Sequence, residues 1–467
     1  MPALVLLCAA QFMVILDITV VNVALPSIQA DLDIATQDLQ WLVTAYTLAF
    51  GGLLLLGGRG ADLFGRRRVF LTGLAVFSAA SLGAALAPTA AALLVARVGQ
   101  GVGAAMLSPA ALSMITTLFA EGRERQRALA AWAAVAASAG AFGVLAGGAL
   151  TETLSWQAIF LINVPVGIAV WVAAWRVLPA APPETDRRLD VAGALVATGS
   201  LVALIYGLVE APSAGWGSGQ TLGLLAAGTA GLGAFVLVEQ RVREPLVALA
   251  VFRRRPTAAA LVLMIAGMGT VMSAFFFCSL YLQDILGHSA LRTGLEFLPG
   301  AVLLVLSAHA GGRLVSRVGP KPVLATGMTL GGLGALLLSG VSADGTYISD
   351  VLPGLLVLDL GIGLSASGIF ITAMSGVGHD EAGMVSGLVT TSHELGIALV
   401  LPVLSTIAAS QIGADMTTAG VDPSLVTMGF GDAFRAAAAM AFGAALLALV
   451  ALRRSDVTAG TAPAFGH

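Results

Sequence analysis

The sequence predicts an all-α integral membrane protein with fourteen spans, and three observations carry that prediction. Of 467 residues, 58% are hydrophobic and only 10% are charged, whereas soluble domains carry about 25% charged residues. A chain of this size has no interior large enough to hide so much apolar surface, so the bilayer is its solvent. The apolar residues are gathered into runs close to the roughly 20 residues that a hydrocarbon core of about 30 Å requires. Between those runs, the basic residues fall on alternate sides.

The first run, near 4–25, superficially resembles a secretory leader, but it lacks a basic start and a small-residue cleavage site and carries Asp17 in its middle. It reads as a retained first span. Runs near 39–57, 69–87, 90–118, 128–150 and 158–178 complete a first set of six. A pair follows near 190–210 and 221–238, the second of these short and rich in glycine. The last six lie near 257–282, 294–312, 322–342, 350–373, 385–409 and 433–452.

Charge placement tests this count. Arginines follow span two (Arg59, Arg66, Arg67, Arg68), four (Arg123, Arg125, Arg127), six (Arg176, Arg187, Arg188) and eight (Arg241, Arg243, Arg253, Arg254, Arg255). Arg313, Arg317 and Lys321 follow span ten, and Arg453 and Arg454 follow the last. Of 23 basic residues only Arg97, Arg292 and Arg435 lie elsewhere. A miscounted helix would scramble the alternation, and by the positive-inside rule both termini are cytoplasmic.

A repeat organises the count. "GGRGADLFGRRR" (57–68) and "GRLVSRVGPK" (312–321) share a frame: Gly-Arg, then Gly seven residues after the first Gly, 254 positions apart. The two frames follow spans two and ten, on the same membrane side. A six-helix repeat with an inserted pair gives that spacing, hence six, two, six. The expected divisions are a first bundle over 1–180, the inserted pair with its linkers over 181–255, a second bundle over 256–455, and a disordered tail over 456–467. Parallel repeats of this kind suit a transporter that rocks two halves around a central site.

With these residues in view, the chain resembles the major facilitator superfamily, and within it the fourteen-helix drug/proton antiporter branch. Gly58, Asp62, Gly65, Arg66 and Arg67 match the signature loop Gly-x-Leu-Ala-Asp-Arg-x-Gly-Arg-Arg, while Gly60 and Leu63 depart from it. "RVGQGVGAA" (97–105), "LDITVVNVALP" (16–26) and "IFLINVPVG" (159–167) match further motifs in order. "GVLAGG" (143–148) stands where antiporters carry Gly-Pro-x-x-Gly-Gly, with Val144 in place of the proline.

The candidate site residues follow from the cost of polarity in lipid. A charge inside the membrane costs on the order of 3 kcal/mol on insertion scales, so each one is a functional candidate. Asp17 lies about 12 Å deep and Arg97 about 10 Å, by the helical rise, and the two could meet; the resemblance implies Asp17 as the proton-titrating group. A purely structural ion pair is the alternative. Asp359 and Glu394, with His393 beside it, lie about 14 Å deep in the second half and are candidates for a second proton or for a cationic substrate. Asn22, Gln100 and Asn163 are polar candidates for substrate contact, and Tyr281 and Phe276 for an aromatic wall. Gly58, Asp62, Gly65, Arg66, Arg67 and Arg313 form the expected cytoplasmic latch. There the aspartate caps a positive helix end, the arginines clamp carboxylates or carbonyls, and the glycines permit tight turns. Gly143, Gly147 and Gly148 form a small-residue pattern that brings helices close.

Composition also excludes functions. The net charge of −3 argues against a nucleic-acid partner. Cys8 and Cys278 both lie in apolar runs and read as small core residues. "GQGVGAA" around Gly99 sits mid-span with no strand before it and is no phosphate loop. No zinc spacing, nucleophile elbow or Walker motif is present, so no metal, no cofactor and no ATP-driven step is expected; the resemblance implies the proton gradient as the energy source. The resulting expectation is a non-enzymatic, proton-coupled exporter of small lipophilic, cationic or amphipathic drugs. It acts as a monomer in a bacterial cytoplasmic membrane, the Ala/Gly/Arg bias suggesting a GC-rich source. The readings left open are an importer or uniporter of a polar nutrient, and a membrane scaffold or lipid-handling protein.

Overall fold

Every long apolar run forms a helix. The computed structural model describes residues 2–119, 123–179, 191–241, 249–377, 379–412 and 422–453. Its helices are α1 (Pro2–Leu32), α2 (Thr36–Phe64), α3 (Arg66–Ala85), α4 (Ala90–Leu118) and α5 (Arg123–Thr153), then α6 (Gln157–Leu161) and α7 (Asn163–Val177). They continue with α8 (Val191–Ala214), α9 (Gly219–Glu239), α10 (Arg255–Leu280), α11 (Ala290–Val318), α12 (Pro320–Leu338), α13 (Leu352–Ala373), α14 (His379–Ile412) and α15 (Pro423–Ala451). A π-helical turn extends α10 over Tyr281–Ile285, and another leads into α13 over Tyr347–Val351.

Twelve of the resulting segments, among the described residues, are long and apolar enough to cross a membrane, with α6 and α7 together forming one of them. α5 and α8 fall on the two remaining expected runs; in α8 the apolar stretch is shorter, Leu195–Ala211. The sixth expected span is broken at Ile162. Pro165 explains the break: its ring lacks an N–H and clashes with the carbonyl four residues back. Other helices begin on local chemistry. Thr89 accepts a hydrogen bond from the Ala92 amide (3.3 Å), and Ser218 accepts one from Thr221 (3.2 Å). Asp422 accepts from Ser424 (2.9 Å), with Pro423 in the first turn. The expected tail over 456–467 lies outside the described residues.

The chain divides into two compact units. One holds the described residues between Met1 and Leu246 together with Leu282–Leu298; the other holds those of Val247–Tyr281, Pro299–Ala414 and Thr418–His467. In the first unit the inserted pair α8–α9 closes on itself through Gly228, whose position leaves no room for a methyl group against the Ser200 carbonyl. α8 then lies along α2. Trp41 and Tyr206 pack with ring centroids 6.1 Å apart, and Gly52 sits against Thr198. Also in the first unit, Gln283 donates to the Val23 carbonyl (2.9 Å) and Glu152 accepts from the Leu291 amide (2.9 Å). Large apolar side chains such as Val95, Ile168, Leu306 and Val450 are exposed on the helix faces, as a lipid solvent requires.

Lipid tails are as apolar as leucine, so packing at close range, rather than hydrophobic exclusion, holds such helices together. The 254-residue repeat recurs in that packing. A methyl group on Gly57 would come 2.0 Å from the Ala105 carbonyl oxygen, and one on Gly311 would come 2.1 Å from that of Leu364. Gly73 and Gly327 repeat the relation, at 2.9 Å from the Gly103 oxygen and 2.6 Å from the Gly361 oxygen. Gly65 and Gly319 both take positive φ, 91° and 84°, where the chain turns into α3 and α12. Gly57→Ala and Gly311→Ala should therefore each cost about 2 kcal/mol or more, the scale of overpacking. Gly233→Ala, which meets nothing within 4 Å, should be tolerated. Thermal unfolding of the detergent-purified protein checks the contrast.

Candidate functional site

Asp17 on α1 and Arg97 on α4 do meet. Both are buried, each 1% exposed, with Arg97 Nη1 2.5 Å from Asp17 Oδ2. Asp17 Oδ1 accepts from Gln100 Nε2 and from Asn163 Nδ2, each at 2.8 Å. Arg97 Nη1 also donates to Gln100 Oε1 (2.9 Å), and its Nε donates to the Leu42 carbonyl on α2 (2.7 Å). The guanidinium carbon lies 4.4 Å from the Tyr46 ring centroid and 5.9 Å from that of Phe160. Ser81 on α3 closes the network, accepting from Gln100 (2.8 Å) and Asn163 (3.5 Å).

The local sequence accounts for this convergence. Arg97 and Gln100, three residues apart, share one face of α4. Asn163 opens α7 beside the Pro165 break. Gly143 and Gly147 let α5 lie directly on α1: a methyl group on Gly143 would clash with Thr19, and one on Gly147 with the Val20 carbonyl. Gly148 faces Ala290 and Leu291 instead. Three donors, one of them cationic, make the site a trap for an ionised carboxylate. Sequence reasoning missed Ser81 and Tyr46. A mid-span serine reads as a packing residue, but Tyr46 is one of only four tyrosines and lies one turn from Leu42, which was a usable signal.

The other candidates are placed variously. Asn22 donates to its own helix at Ile18 (3.1 Å). Phe276 is buried edge-on to Phe277, which in turn packs on Phe430 and Phe434. Tyr281 is buried, its hydroxyl donating to the Ser342 carbonyl (2.8 Å). Both are fixed in helix packing, not set on an open aromatic face. In the second unit Asp359 is fully buried, and Glu394, 3% exposed, bonds the His393 ring (2.9 Å); no bond joins the two acids. In the expected latch, Arg67 donates to the Trp175 carbonyl and stacks on the Trp175 ring at 5.2 Å. That ties the α2–α3 turn to the negative end of α7. Arg66 is half-buried and Arg313 is exposed, while Gly58 packs on Pro109. The Asp62 side chain lies outside the described residues.

A profile described as Major Facilitator Superfamily matches residues 7–401. The chain belongs to that superfamily. This facilitator is 42% identical over 459 residues to the cephamycin export protein CmcT of Amycolatopsis lactamdurans, covering 97% of this chain and 93% of that relative. It is 40% identical over 452 residues to the puromycin resistance protein Pur8 of Streptomyces alboniger, covering 96% and 89%. Its fold is similar, at a TM-score of 0.68 and 16% identity over 96% of each chain, to a bacterial homologue of the human lysosomal transporter Spinster. Membership makes it a multi-pass transporter of the cell membrane rather than an enzyme.

The buried pair predicts an asymmetry in the facilitator's stability. Arg97→Gln leaves the Asp17 charge uncompensated and should cost about 3–5 kcal/mol. The double variant Asp17→Asn/Arg97→Gln should recover part of that loss, because no charge is then stranded. Unfolding midpoints of the two variants in detergent measure the difference.

Proposed function

We propose that this facilitator exports small lipophilic, cationic or amphipathic drugs, antibiotics included, across the cytoplasmic membrane in exchange for protons. The observation that carries the export reading is the similarity, over 97% of the chain, to a cephamycin export protein. Similarity to puromycin resistance and tetracenomycin C resistance and export proteins supports it. The proton-coupling role rests on the Asp17 site. The chain crosses the membrane fourteen times with both termini cytoplasmic, α5 and α8 completing the count, and it works as a monomer with no bound cofactor.

The coupling step follows from the bonds at Asp17. A proton arriving on a carboxylate oxygen cancels the charge that Arg97 balances and turns that oxygen from acceptor to donor. The Arg97, Gln100 and Asn163 bonds cannot all survive that change. α1, α4 and α7 lose their common anchor, and the bundle is free to take its alternative arrangement. Release of the proton to the other side restores the trap. A cationic substrate does the equivalent work by competing with Arg97 for the carboxylate. At the cytoplasmic ends the glycine-arginine loops act as latches that must open with the inner gate, and the Arg67 contact with α7 is one such bond.

Proteoliposomes loaded with acid and a pH dye test the reading. Adding lipophilic cations and antibiotics should collapse the gradient in the wild type and leave it standing in Asp17→Asn. Equal proton movement in both would remove Asp17 from coupling. Transport of a compound without any proton movement in the wild type would overturn antiport.

A further inference from the structure

Asp359 has an environment opposite to that of Asp17. It lies on α13 with no exposed surface, and among the described residues neither carboxyl oxygen has a hydrogen-bond partner. Its seat is a notch in α11: a methyl group built on Gly300 would lie 2.2 Å from Asp359 Oδ2 and 3.0 Å from Leu355. Ser307 of α11 donates to the main-chain carbonyls of Leu304 (3.0 Å) and Asp359 itself (3.4 Å), not to the carboxyl. From α10 the buried Cys278 thiol lies within electrostatic reach of Asp359, but it brings no positive charge and is a weak donor. On α14, His393 and Glu394 bond each other. Among the described residues, no ion pair reaches Asp359.

A carboxylate without a counter-charge or donor is the costliest polar group to bury, and it escapes that cost by taking up a proton. We propose that Asp359 is a proton-binding site of the second unit, held as the neutral acid in its Gly300 notch while Asp17 stands ionised. The two units thus store opposite protonation states. When α11 and α13 separate enough to wet the notch, the O–H bond breaks, the proton passes to water, and the electron pair stays on the carboxylate. The proton's location rests on the second unit's geometry alone. Its use in transport rests on the proton-coupled export reading.

Infrared difference spectroscopy of the purified full-length protein, in light and heavy water, separates the two. At neutral pH the wild type should give a carboxylic-acid carbonyl band that shifts in heavy water and on labelling aspartate with heavy carbon. The band should be lost in Asp359→Asn, kept in Asp17→Asn, and displaced in Gly300→Ala, whose methyl group evicts the carboxyl. An aspartate band that survives Asp359→Asn, or its absence from the labelled wild type, overturns the proposal; the labelled wild type decides even where a variant fails to fold. A transported compound that moves protons should also weaken the band. If the band is present but unchanged by such a compound, the proton site stands and its part in transport is overturned. If no compound moves protons at all, the export reading fails while the site stands.

Discussion

A carboxylate buried beside a guanidinium inside an apolar medium sets the terms for the first unit. Asp17 and Arg97 together expose almost nothing to solvent, and in such surroundings each would be ruinous without the other. Gln100, Asn163, Ser81 and the Leu42 carbonyl are recruited by that need. Each comes from a different stretch of chain, so meeting it ties α1, α2, α3, α4 and α7 to one point. The same bonds that make the charge tolerable make the helix arrangement conditional on it.

Glycine supplies the complementary constraint. Polar bonds fix one point of the bundle, while the close contacts at Gly57, Gly73, Gly143 and Gly147 fix how near the helix backbones run. Gly311 and Gly327 do the same in the second unit. These contacts fill with van der Waals attraction the role that exclusion from water plays in soluble cores. Asp359 uses a third such opening, at Gly300, for a polar group instead of a backbone.

Much of this was legible in the sequence because lipid penalises ambiguity. Asp17 and Arg97 declared themselves by being charged at matching depth, and the Gly58 and Gly312 frames announced a repeat that reappears as paired backbone contacts. What stayed hidden was relational. Pro165 marks a break only once α6 is seen to end at Leu161 and α7 to start at Asn163. Ser81 looks like any small packing residue, and nothing in its identity says which amides will find it. Tyr281 and Phe276 have the composition of a binding wall, yet their surroundings hold them in helix packing. The inserted pair carried no polar marker, and contacts such as Trp41–Tyr206 and Gly52–Thr198 reveal that α8 lies on α2. Asp359 was visible as an acid, but the emptiness around its carboxyl was not.

One feature of the first unit bears on how the protein is made. That unit is completed by residues 282–298, with Gln283 reaching back to Val23 across 260 positions of chain. A ribosome adding about 5–20 residues per second exposes α1 on the order of tens of seconds before that partner exists. Helices α1 to α7 therefore wait in the membrane as an unfinished bundle, with the Asp17–Arg97 network already able to close and the Gln283 contact still to come. Biogenesis of this chain is not two halves folded in turn: the first is finished only by a segment that emerges after the second has begun.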